Sequence, residues 1–548
     1  MRDRVRDYVI LLAVSALLTF PNLGACSLWD FDEGVNAQAA REMHDADSWI
    51  IPTFNYQLRT AKPVMLYWLQ RISYTAFGVS EWSARLPSVL AACLAVLLTY
   101  ELARRMFDRR IGLLAGVVLA SVVQFGVLSH AATPDATLLA FSMLTYLAFW
   151  VGHGNGSRRW WLPTAAACGL AVLTKGPVGV ALPGLVIFAY FAWNRELSRL
   201  LDRRIIWSAL VLILVAGPWY GLVSAETRGE WLMAFFGNEN VNRFLTPLEG
   251  HRGPPWFYPV AILVMFAPWT AFLGAACWYG VKATKPEQPV AEATAIPEAV
   301  RAHRFLVCWV AAYLLVFTAA ATKLPNYVFP LYPALAILTA RFLVTWREGT
   351  LTVPRWVMTA GTVALSVVGI VYSGGLGYVE WQFPGILMWS LLGIIPVSGA
   401  IGMAYCLRRD DRAGFVNSAT VASVVFIAAV MALPPLTIDR QKAPRELVRA
   451  SGMADPGRDV RVAAFGWFQP SAVFYAGREI DELKTLDAAA EFLSVATPGY
   501  LFVSATAWEE LSPRVAGPYR VAARHFDFLR NCEVLVILNA AANDVASR

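Results

Sequence analysis

The sequence is poor in charge. Of its 548 residues only 16% are Asp, Glu, Lys or Arg, against roughly 25% in a soluble globular chain, so much of its surface faces something other than water. Cysteine is scarce as well. The seven are scattered singly, with Cys93, Cys168, Cys277, Cys308 and Cys406 inside apolar runs, which excludes metal-type spacing and a disulfide framework. Cys26 and Cys532 lie on segments read below as outside the membrane, and a bridge between them stays open. Alternation over about ten residues, the mark of an outer-membrane barrel, is absent.

What is present is apolar. Hydrophobic residues make up 57% of the chain, and mean hydropathy is +0.49. Unbroken runs near the ~20-residue bilayer length predict a polytopic α-helical membrane protein. The net charge of +7 and pI near 9.0 do not point to nucleic acid, because the basic residues sit in small clusters at the ends of apolar runs. That is positive-inside patterning, not a binding stripe. Met1–Phe20 has the arginines and apolar core of a signal peptide but no small-residue cleavage site, so a retained first helix is expected.

Read in order, the apolar runs give about thirteen spans, with each arginine cluster on one side. They are Tyr8–Leu23, Leu86–Met106, Ile111–Leu128, Thr137–Val151, Leu162–Leu173, Val178–Trp193, Ile205–Val223, Phe257–Tyr279, Phe305–Thr322, Leu335–Trp346, Trp356–Tyr372, Ile386–Leu407 and Phe415–Leu433. A Gly-rich turn over residues 152–159 and a polar linker, Lys282–Arg304, fall on the arginine side. Two large loops, residues 29–85 and 224–255, fall on the other. Residues 1–436 thus read as a membrane domain. From 437 to 548 the runs shorten to VRVAAFGW, GYLFVSA and CEVLVILNA, separated by helix-like patterns such as DELKTLDAAAEFLSV, which predicts a small α/β domain outside the membrane. No glycine-rich phosphate loop, serine elbow or metal motif occurs in it, and a structural or acceptor-presenting role is expected.

The first loop concentrates the candidate chemistry. Asp30, Asp32 and Glu33 crowd together after the first span, where repulsion and burial can lift a carboxyl toward general-base range; Asp32 can equally cap a helix over Gly34–Met43. Lys62-Pro63, with Arg59 nearby, opens VMLYWLQRISYTAF, too interrupted by Gln70 and Arg71 to span and suited to the membrane interface. Asp135 in TPDA caps a span or serves a site. Lys175, at a Gly-Pro break between two short apolar halves, carries an insertion cost of roughly 2.5–3.5 kcal/mol at a helix centre, less at a hairpin tip. Lys323 repeats the pattern. Three lysines from separate segments on one face make a phosphate site, which His251 and Arg252 of the second loop can join.

Several motifs occur in order: DE-x4-QAAREM from Asp32, KP-x3-YWL from Lys62, then GVSEWSARLPS, TPDA, LTKGP, GHRGPPWFYP and KLPNYVFPLYP. Over about Leu28–Pro333 the chain resembles bacterial integral-membrane glycosyltransferases of families 39 and 83. These include lipid A aminoarabinose transferases and are related to protein O-mannosyltransferases. The resemblance implies a GT-C fold and an inverting transfer from a polyprenyl (undecaprenyl) phosphate donor to a lipid, glycan or protein acceptor at the periplasmic face of the bacterial inner membrane. It assigns Asp32, with Glu33 beside it, to catalysis, and Lys62, Asp135, Lys175, Lys323 and Tyr327 to the donor phosphate or the site wall. His251 lies where aminoarabinose transferases place a metal ligand. The usual acidic residue before the KP is Ala61 here, which removes the acidic metal ligand and leaves His251 as the one candidate ligand for a divalent metal, and Val35 and Asn36 replace the usual Arg and Tyr. A lipid-linked sugar transporter and an inactive assembly subunit are the competing readings. Polar residues gathered in outer loops, without an internal repeat, favour the enzyme over the transporter.

Overall fold

The computed structural model describes residues 2–154, 160–247, 250–286, 296–455, 457 and 459–539. The predicted Gly-rich turn and polar linker fall partly on residues 155–159 and 287–295, outside the described residues. Each expected span coincides with helix. Among the described residues eight helices are long and apolar enough to cross a membrane, and nine if the pair Arg109–Ala120 and Val123–Ser129, bent by 66°, is one span. The remaining segments are shorter or more polar than the runs suggest. Arg2–Thr19 carries two acids and three arginines at its start. Phe257–Met265 and Thr270–Lys282 are separate helices, and Trp161–Lys175 and Val178–Trp193 hold 15 and 16 residues.

The bundle packs around Tyr332–Arg347, whose side chains are almost all buried, with Trp309, Phe305 and Phe342 fully enclosed beside it. At one end, arginine-rich span ends meet. Arg110 pairs with Glu348 at 2.6 Å, Arg355 donates to the Leu407 carbonyl and Arg412 to that of Trp346. The loops and the C-terminal sheet occupy the other end.

The break between the two short helices is set by Gly176. Its φ of +70° suits glycine, and a Cβ there would lie 2.5 Å from the Phe235 ring. In the first loop come helix Asp32–Asp45, the hairpin β1 (Thr53–Phe54) and β2 (Gln57–Leu58), and helix Met65–Phe77. Gln70 and Arg71, the polar interruptions of that last helix, turn inward. Gln70 donates to the Ala84 carbonyl at 2.9 Å, and Arg71 lies over the Trp49 ring at 4.0 Å. Ile72 and Phe77 are left exposed on the outer side.

The C-terminal sheet has the order β4-β3-β5-β7-β6. The predicted strands are its centre: β3 (Arg461–Phe465), β5 (Gly499–Ser504) and β7 (Cys532–Asn539). β3 and β5 are parallel, whereas β7 runs antiparallel to β5. The edges are β4 (Asp481–Leu483) and β6 (Tyr519–Asp527). DEL therefore opens a strand, not the helix its pattern suggests: the Thr485 hydroxyl accepts from the Ala488 amide and starts the helix only at Leu486, as an N-cap does. Cys26 and Cys532 are both free thiols.

Candidate active site

Two cavities open at the loop end, and first-loop residues line both: Ala61 and Lys62 the first, Trp29, Asp32 and Glu33 the second. The first, about 560 Å³, is lined by Lys62, Lys175, Arg243 and Tyr327 at its polar end. Its walls are apolar, with Leu182 and Leu185 from one short helix, Phe235 and Phe244 from the second loop, and Phe317 from the span Glu298–Ala319.

Its cations are not equivalent. Lys175 Nζ lies 2.6 Å from Asp135 Oδ1 and 5.6 Å from the centre of the Tyr327 ring. Asp135 begins the helix Asp135–Gly154, where a carboxylate suits the positive end of the helix dipole, and its other oxygen faces Asn326 Nδ2 at 3.4 Å. Arg243 lies 3.1 Å from Glu239 and 3.3 Å from the Tyr327 hydroxyl. Lys62 makes no hydrogen bond or ion pair among the described residues. Burial first, then the charges of Lys175 and Arg243, push its ammonium down to about 8. A cation so placed is costly until an anion pairs with it.

Asp32 is exposed and opens the helix Asp32–Asp45, but it does not cap it; Phe31 holds the cap position and no side chain bonds the first-turn amides. Among the described residues its carboxylate is unpartnered. It lines the second cavity, about 540 Å³, together with Trp29, His130, Tyr372, Met431 and Lys442. Its charge also reaches Lys175 of the first cavity. Asp32 therefore faces one space and acts electrically on the other.

Glu33 is the first correction. It is buried, and both oxygens are spent: on Arg85 Nε and Nη2 at 2.8 and 2.7 Å, and on the amides of Ala132 and Trp29, each at 2.7 Å. Burial alone would lift its carboxyl, yet the Arg85 guanidinium and these donors hold it below the usual carboxylate range. A carboxylate so saturated is an anchor and cannot serve as a base. Arg85 in turn donates to the carbonyls of Leu23, Cys26 and Ser27, tying the end of the first helix to the second span.

Lys323 is the second correction. Its Nζ donates to the carbonyls of Phe317, Thr318 and Ala320, closing the C-terminus of the helix Glu298–Ala319. All three protons are used, so none is left for a phosphate. Arg59 is likewise committed, to Tyr67 and Asn36 at 2.7 and 3.1 Å, and braces the first loop. His251 and Arg252 are exposed in the second loop and do not line the first cavity; the His251 carbonyl accepts from the Lys323 amide. Ala61 has no ligand atom, and no three His, Cys, Asp or Glu side chains converge among the described residues.

Arg243 and Asn326 were missed from the sequence. Arg243 stands in a loop full of polar residues, and only the second loop's position over Lys175 shows which of them turns inward. The KLPNY motif points at Tyr327 and passes over its neighbour.

A many-span bundle with two amphiphilic cavities and a small mixed C-terminal sheet is the architecture of a GT-C membrane fold. The comparisons with known proteins agree. Residues 61–220 match the family described as dolichyl-phosphate-mannose-protein mannosyltransferase. The chain is 29% identical over 455 residues to the undecaprenyl phosphate-alpha-4-amino-4-deoxy-L-arabinose arabinosyl transferase of Pseudomonas paraeruginosa, covering 81% of this chain and 78% of that one. The crystal structure of ArnT from Cupriavidus metallidurans bound to undecaprenyl phosphate superposes with a TM-score of 0.81 at 21% identity, over 97% of this chain and 98% of the other. The archaeal oligosaccharyltransferase AglB of Archaeoglobus fulgidus shares the fold more distantly, with a TM-score of 0.52 at 12% identity over 91% and 69%. This chain is a GT-C-fold membrane protein that resembles the aminoarabinose transferases along most of its length.

Proposed function

We propose that this protein is an inverting glycosyltransferase that moves a sugar from a polyprenyl phosphate to an acceptor at the periplasmic face of a bacterial inner membrane. The observation that carries the reading is the unpaired Lys62 ammonium at the polar end of an otherwise apolar cavity. A polyprenyl tail fits the apolar walls, and its phosphate meets Lys62, Lys175 and Arg243. As the bond from the anomeric carbon to the phosphate oxygen breaks, negative charge grows on that phosphate, and fixed cations lower the barrier most where charge develops.

The acceptor enters from the second cavity, whose apolar lining suits a lipid-anchored molecule. Its oxygen attacks the anomeric carbon from the face opposite the leaving phosphate. If the nucleophile is a hydroxyl, Asp32 receives its proton; if it is a phosphate already ionised, no proton moves and Asp32 acts by its charge on the cationic character that develops at the anomeric carbon. The similarity to aminoarabinose transferases favours an amino-pentose-like donor sugar and lipid A or another envelope glycan as acceptor. Residues 1–436 form the catalytic membrane domain in this reading, with 437–548 periplasmic. Membranes containing the Asp32→Asn variant, supplied with radiolabelled polyprenyl-phosphate sugar, should retain bound donor yet form no glycosidic product. Transfer at the normal rate would remove Asp32 from the reaction.

A further inference from the structure

The stretch leading to Asp32 is held from outside. The Ser27 amide and hydroxyl both donate to Asp439, and Lys442 Nζ donates to the Ser27 carbonyl at 2.6 Å. The Leu28 amide donates to the Tyr475 hydroxyl at 2.7 Å. Trp29 packs against Phe528, ring centres 5.8 Å apart, and Arg530 lies 5.5 Å over Phe31. Asp30 is buried and takes both of its bonds from one residue, the amide and hydroxyl of Ser471, each at 2.6 Å. Two residues past Asp32, a Cβ on Gly34 would lie 2.6 Å from the Ser471 nitrogen, so only glycine allows this approach. Every one of these partners belongs to the C-terminal region.

The helix that begins at Asp32 has no capping side chain of its own; the amides of Glu33 and Gly34 donate to the Trp29 carbonyl and that of Val35 to Phe31 instead, so the first turn stands where residues 29–31 are held. We propose that Asp30 and Ser471 form a clamp that holds the stretch whose carbonyls seat the first turn and so fixes where the Asp32 carboxylate stands, making both positioning residues for transfer. The C-terminal region is on this view a splint for the catalytic loop. The inference rests on the proposed role of Asp32, and its test keeps the two apart.

The test uses the full-length protein in nanodiscs with a radiolabelled polyprenyl-phosphate sugar. Asp30→Ala should lower kcat by roughly 10²-fold, the cost of a misplacement near 1 Å, and leave the donor KM unchanged, because Lys62, Lys175 and Arg243 are untouched. Ser471→Ala should show the same split more weakly. Asp30→Asn should restore kcat, since its amide oxygen accepts from the Ser471 amide and its NH2 donates to the hydroxyl. A normal kcat in Asp30→Ala, or equal losses in kcat and donor affinity without rescue by Asn, overturns the clamp. Should Asp30→Ala not fold, Ser471→Ala decides by the same criterion. Asp32→Asn runs in parallel: if it is active, the role of Asp32 falls; if it is inactive while Asp30→Ala is normal, only the clamp falls.

Discussion

Lys62 offers a test in which affinity and stability move in opposite directions. Lys62→Met keeps most of the side chain's length and removes its charge. The lost charge-assisted contact to a phosphate costs about 1.5–3 kcal/mol, which weakens donor binding by roughly 10- to 150-fold. In the free protein the substitution removes a cation that burial and two like charges disfavour, as its fall from 10.5 to about 8 records. Each unit is worth about 1.4 kcal/mol, and discounted for the partial exposure of the side chain the gain in stability is about 1–3 kcal/mol. The sign follows from the direction of the shift. A depressed lysine binds fewer protons folded than unfolded, so the wild-type protein gains stability as pH rises from 8 toward 10.5, and the advantage of the variant disappears over the same interval. Donor affinity runs the other way, steady below pH 8 and falling above it as the ammonium discharges. Binding of labelled polyprenyl phosphate and thermal unfolding, each followed from pH 6.5 to 10, measure both. A variant that binds normally, or is less stable at pH 7, refutes the assignment of Lys62 to the phosphate.

The buried pair Lys175–Asp135 should behave differently. Either Asp135→Asn or Lys175→Met alone leaves an uncompensated charge and costs about 3–5 kcal/mol, while the double variant regains much of the unfolding temperature without regaining donor binding. Lys323→Met should keep transfer and donor affinity and lose about 1 kcal/mol of stability, the usual worth of a cap; loss of donor binding would return Lys323 to the site.

Much of this was legible in the sequence because membrane physics writes plainly. Long apolar runs announced the spans, and the fully buried GYLFVS stretch announced the central strand β5. Lys62 stood out because it opens an interfacial helix, and Lys175 because lysine is expensive in apolar company. Lys323 looks identical on that criterion, and sequence holds no sign that its ammonium bends back onto three carbonyls instead of forward into a cavity. Asp32 and Glu33 are equally hard to separate as neighbours. Their division of labour is set by Arg85, fifty-two residues on, which reaches one of them and not the other. The edge strands β4 and β6 lack apolar runs, since an edge is half solvated. Bends such as the one between Arg109–Ala120 and Val123–Ser129 are invisible to hydropathy, which averages over them.

The two short helices on either side of Gly176 also act on the lipid around the protein. At about 1.5 Å per residue, the 16 residues of Val178–Trp193 reach about 24 Å, against about 30 Å of hydrocarbon in a typical bilayer. A wall too short for its membrane draws the leaflets together beside it. That wall contributes Leu182 and Leu185 to the first cavity, so thinning beside it would shorten the distance a lipid-borne headgroup travels to the site. Transfer should accordingly run faster in bilayers of shorter acyl chains, and a rate indifferent to chain length would show that the protein tolerates the mismatch without bending its surroundings.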